Sequence, residues 1–81
     1  MELKDTVEMM LSEDYKERFK AEYYQLKIRC DNLRSMLAKY ASGTLDFEPA
    51  CSYVRLADQS YIMHKYLHIL KTRADIEGIE L

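Results

Sequence analysis

Apolar side chains recur at residues 19, 23, 26, 30, 33, 37 and 40, with spacings that alternate between four and three. That rhythm is the buried stripe of an α-helix facing another helix. Residues 50–76 repeat the pattern more densely. Val54, Leu56, Tyr61, Ile62, Met63, Tyr66, Leu67, Ile69 and Leu70 cover more of the helix circumference than the roughly 100° stripe a surface helix needs. One apolar face of this second helix can meet the first helix, and a second face is left over. Soluble monomers rarely keep a large contiguous apolar patch, and a closed homo-oligomer is the common way to cover one.

Breaks in the pattern set the element boundaries. Asp5-Thr6-Val7-Glu8 reads as a capping box opening a short helix over about 5–11. Ser12 reads as the N-cap of a long helix over about 13–41, with Glu13 and Asp14 at its positive end and Gly43 just past its close. The stretch SGTLDFEPA (42–50) is the one loop-like segment. Pro49 fits the first turn of a third helix over about 50–76, which Gly78 ends. So short a connection between two long helices makes an antiparallel hairpin, with Tyr23 and Tyr40 in its core and Leu45 and Phe47 folded over its closed end. The predicted fold is all-α: a single domain, 1–81, with a short N-terminal helix and a long antiparallel helical hairpin that assembles into a helical-bundle homo-oligomer.

Size supports the need for assembly. Single cores below about 70–80 residues supply only about 3–5 kcal/mol, and at 81 residues this chain is barely longer, so a staple or a partner is expected. Cys30 and Cys51 read as reduced thiols, Cys30 as a small apolar seam residue. The first residues are too acidic for a secretory signal and no apolar run is long enough to span a membrane, so the expected location is the cytoplasm.

Charge adds a further feature. The net charge is −2, yet residues 1–14 carry −4, residues 75–81 carry −3 and the middle carries +5. A basic waist can draw an anion or can be a solvated helix surface. The negative total argues against a general DNA binder.

Candidate chemistry is sparse. His64 and His68 share a helix face, but no third or fourth ligand accompanies them, and they read as surface histidines rather than a metal site. No glycine-rich phosphate loop, nucleophile with a positioned base or paired catalytic carboxylates is present, so neither an enzyme nor a cofactor is expected. Seven tyrosines without a tryptophan are more telling. Tyrosine suits protein interfaces and also stacks on nucleobases. On the last helix Arg55, Gln59, Ile62, Tyr66 and Arg73 fall in one line. Two forked guanidiniums there can hold phosphates. They can equally pair with acids across an oligomer interface, with Gln59 setting register.

The runs SEDYKERFKAEYYQLKIR (12–29), GTLDFEP (43–49) and IEGIEL (76–81) resemble a family of short proteins from phages and prophages of Gram-positive bacteria. The hairpin carrying Arg55-x-x-x-Gln59-x-x-x-Met63 is also similar to that of the phage anti-CBASS sponges, although the threonine that follows the arginine there is Leu56 here. That likeness implies a counter-defence protein holding a cyclic nucleotide or cyclic ADP-ribose type of messenger between protomers. The expected site is Arg55, Gln59, Tyr66 and Arg73, with Tyr15 and Lys16 closing it from a neighbouring copy. Two other roles stay open. The chain can bind a host defence protein directly, as anti-CRISPR proteins do, or assist virion assembly.

Overall fold

The computed structural model describes residues 1–81 and contains helices and no strands. A 3-10 turn, Leu3–Thr6, runs into a one-turn helix α1, Val7–Met10. Helix α2 spans Tyr15–Ser42 and helix α3 spans Tyr53–Glu77. The two long helices form the hairpin, in a rod of 43 × 24 × 17 Å.

The helix starts differ from the sequence expectation by a few residues, and in each case a better acceptor wins. Asp5 belongs to the preceding turn, where its carboxylate accepts from the Glu2 amide at 2.7 Å. Asp14, not Ser12, caps α2: its Oδ1 accepts from the Lys16 amide at 2.9 Å. Ser12 supports that turn, its Oγ accepting from the Asp14 amide at 3.0 Å. Helix α3 waits for Ser52, whose Oγ accepts from the Arg55 amide. Pro49 has no side-chain acceptor to offer and stays in the connection.

Both helices stop at glycines in the left-handed region, Gly43 at φ 75° and Gly78 at φ 69°. A side chain at either position would be strained. At the second, the Ile79 amide donates to the Ala74 carbonyl at 2.9 Å, a 6→1 closure that turns Ile79 back onto the bundle.

That closure completes the core. Phe19 and Tyr23 of α2 pack with Leu70 and Ala74 of α3 and with Ile79, all nearly inaccessible. The cluster lies at the end of the hairpin where α2 begins and α3 ends. Cys30 and Leu37 carry burial further along α2. On another face of α2, Thr6 is buried, donating to the Leu3 carbonyl and accepting from Gln25 Nε2 at 3.0 Å. This polar clasp holds the N-terminal turn against Gln25 of α2.

The closed end is looser than expected. Tyr40 is exposed rather than core, its ring 5.2 Å from that of Tyr53. Leu45 is half-buried but Phe47 is exposed, so the connection does not cap the hairpin. Nine of 81 residues are buried, a thin core for two helices of this length.

Candidate functional site

Helix α3 carries two stripes. Leu56, Ser60, Met63, Leu67, Leu70 and Ala74 turn toward α2 and are half-buried or buried. One residue earlier in each turn, Arg55, Gln59, Ile62, Tyr66, Ile69, Arg73 and Ile76 all face solvent. Arg55, Gln59, Ile62, Tyr66 and Arg73 therefore do share one solvent-facing line, with Gln59 exposed. The helix spreads the line out: Arg55 and Arg73 lie about 27 Å apart at ~1.5 Å per residue.

The line accordingly divides into two ends. Around Arg73 the structure gathers Tyr15, Lys16 and Tyr66. The Tyr15 hydroxyl donates to Glu77 Oε1 at 2.8 Å, and Arg73 Nη2 donates to the Tyr15 oxygen at 2.8 Å. Arg73 Nε bonds Glu77 Oε2 at 3.1 Å, closing a three-residue ring of contacts. The guanidinium also lies over the Phe19 ring, 5.0 Å from its centroid. Lys16 Nζ reaches the Gly78 carbonyl at 3.5 Å, and the Tyr66 hydroxyl donates to Glu22. Glu77 and Glu22 belong to this constellation and were not among the expected residues. The Arg73-to-Glu77 spacing of four was a legible signal; the Glu22 contact crosses between helices and was not.

These contacts shift the ionisation of the cluster. The Tyr15 hydroxyl, donating to Glu77, is held protonated above its ordinary range. Tyr66 moves the same way, first through its bond to Glu22 and then through desolvation. Glu77 is held below the usual carboxylate range by the Tyr15 hydroxyl and by Arg73. Tyr15 and Tyr66 are thereby kept as neutral hydroxyls and Glu77 as a carboxylate at neutral pH, which suits binding and orientation.

Arg55 presents the opposite situation. It lies at the start of α3 and pairs with no carboxylate. With Asp58, Gln59, Ile62 and Met63 it lines an open groove of about 340 Å³. Ligand pockets commonly run about 300–1,000 Å³ and enclose most of the ligand. This groove has the volume but lacks a second wall.

His64 and His68 line a separate shallow groove with Lys65 and Ile69. No group of three His, Cys, Asp or Glu side chains comes together anywhere in the chain. Cys30 is buried and Cys51 exposed, both as free thiols. No helix is long and apolar enough to cross a membrane.

Against known proteins, a protein-family model described as Sequestin matches residues 13–76, which include α2, all of α3 but Glu77, and every expected site residue. No curated protein and no solved structure matches the chain.

Proposed function

The chain belongs to the Sequestin family, and from that premise we propose that it sequesters a nucleotide-derived immune second messenger, of the cyclic oligonucleotide or cyclic ADP-ribose type, in pockets between protomers. Its role is that of a phage-encoded counter-defence protein acting in the infected cell. The family's name speaks of sequestration, which requires binding without turnover. The observation that carries the reading is the solvent-facing line on α3, where cationic, amide and aromatic side chains stand among isoleucines and Arg55 lacks a counter-ion. Guanidiniums match phosphate oxygens in forked geometry, and tyrosine stacks on a base.

Titration calorimetry against cyclic dinucleotides, cyclic trinucleotides and cyclic ADP-ribose isomers tests it. At least one member should bind stoichiometrically at micromolar protein and be recovered unchanged. Absence of heat with every member contradicts the reading. Capture of one host defence protein in that case replaces it with direct inhibition.

A further inference from the structure

The outward stripe of α3 is regular along its whole length. Arg55, Gln59, Ile62, Tyr66, Ile69, Arg73 and Ile76 follow a four-three alternation, the repeat of a left-handed coiled coil. Such a stripe fits a straight helix of similar length rather than a rounded surface. Helix α2 offers no matching face: its exposed residues from 16 to 39 are charged or polar apart from Ala38. Helix α3 of another copy offers one.

Surface area points the same way. A compact monomer of 9.6 kDa exposes about 5,100 Å². This chain exposes 5985 Å². The excess is on the order of one partner's share, about 800 Å², of a standard protein interface.

Charge selects the direction. The start of α3 carries Arg55, which pairs with no carboxylate, and Asp58; its last turns carry Lys71, Arg73, Asp75 and Glu77, with Glu80 just beyond its end. A parallel pair would align the two helix dipoles and set Asp75, Glu77 and Glu80 of one copy beside those of the other. An antiparallel pair opposes the dipoles and separates those acids, while each Arg55 stands beside the partner's Arg73, a guanidinium pair that an anion can bridge. We infer that two copies associate through the outward stripes of their α3 helices, antiparallel about a twofold axis level with His64, so that Arg55 of each copy stands beside Arg73 of the other and the two guanidiniums form a phosphate-binding site.

In this register Ile62 meets the partner's Tyr66 and Gln59 meets the partner's Ile69. The missing wall of the Arg55 groove is supplied by the partner's Arg73, with the partner's Tyr15 and Lys16 alongside. Each pair has two such sites, and each site draws one arginine from each copy. The helix pairing stands on geometry and charge alone, whereas the assignment of a nucleotide's phosphate to the site rests on the sequestering reading.

The test is disulfide trapping in a Cys51→Ser background, Cys30 being buried. Differently tagged chains carrying Ile62→Cys and Tyr66→Cys are co-expressed and oxidised. Both substitutions are at exposed positions, and circular dichroism checks that each chain remains helical. The expected product is the mixed disulfide, with little dimer from either variant alone. Equal homodisulfides from each variant overturn the antiparallel register, and no disulfide beyond the background overturns the interface.

Sodium pyrophosphate then probes the site. At saturation it should tighten self-association by about threefold or more relative to chloride of equal ionic strength, and Arg55→Ala should abolish the effect. No tightening overturns the two-arginine site and leaves the helix pairing to the disulfide result. Tightening by pyrophosphate together with no heat from any cyclic nucleotide sustains the site and overturns only the messenger reading.

Discussion

Replacing Leu70 with alanine should remove much of the stability of the single hairpin. Leu70 is 1% exposed and lies among Phe19, Tyr23, Ala74 and Ile79. Leucine-to-alanine changes in rigid cores cost about 2.7–5 kcal/mol, the larger values where the cavity cannot close. Here one wall is the tail residue Ile79, held by a single turn after Gly78, and it can shift inward. The expected loss is therefore toward the lower end, about 3 kcal/mol. At ~0.05–0.15 kcal/mol per residue a chain of this length has about 4–12 kcal/mol in total, and nine buried residues argue for the lower half. The substitution should thus consume on the order of half. Urea unfolding followed by helical circular dichroism, at fixed protein concentration, measures it. With a slope near ~1.5 kcal/mol per molar urea, the midpoint should fall by about 2 M. A fall below about 0.5 M at unchanged slope would refute placing the core at that end of the hairpin.

Thr6→Val should cost about 1–3 kcal/mol and loosen the N-terminal turn, because it removes both of Thr6's buried hydrogen bonds; amide exchange at Thr6 to Met10 reports it. Glu77 has a depressed carboxyl pKa, so its contribution to stability is present above the unfolded carboxylate range and lost as pH falls through the folded value. Tyr15 has a raised pKa, so its contribution is present below the ordinary tyrosine range and lost as pH rises through the folded value. Tyr15→Phe should flatten both edges of a pH–stability profile, and an unchanged profile contradicts the Tyr15–Glu77 contact. Arg55→Ala and Arg73→Ala should each abolish binding of the cyclic nucleotide that gives most heat with the parent. Mixing the two should restore about a quarter of the parent sites, since half the pairs are mixed and each holds one intact site. Mixing without recovery contradicts a site built from two copies.

The angular placement of side chains was legible in the sequence. The alternation from Phe19 to Leu37 is the buried stripe of α2, Gly43 and Gly78 end the helices, and the apolar surplus on α3 is the exposed outer stripe. Axial placement was less legible. Periodicity says which way Arg55 and Arg73 point, and the helical rise separates them, so only Tyr15, Lys16, Tyr66 and Arg73 of the expected site come together within one chain. Their meeting depends on the hairpin register, which the connection between α2 and α3 sets. Tyr40 was misplaced because it lies level with Tyr53, the first residue of α3, so that ring alone covers it from α3 and both stay exposed. The start of α3 was placed at about residue 50 because Pro49 suits a first helical turn, where its missing N–H costs nothing, but the Ser52 hydroxyl supplies the cap three residues on.

Everything proposed for ligand capture requires the outward stripe of α3 to be covered by another copy. Sedimentation equilibrium at several micromolar concentrations measures this most directly. The account predicts a species of twice the 9.6 kDa chain mass, or a larger multiple, that Ile62→Asp and Ile69→Asp return to the single-chain mass while leaving helicity intact. A stable particle of 9.6 kDa across that range, unaltered by those substitutions, would contradict it.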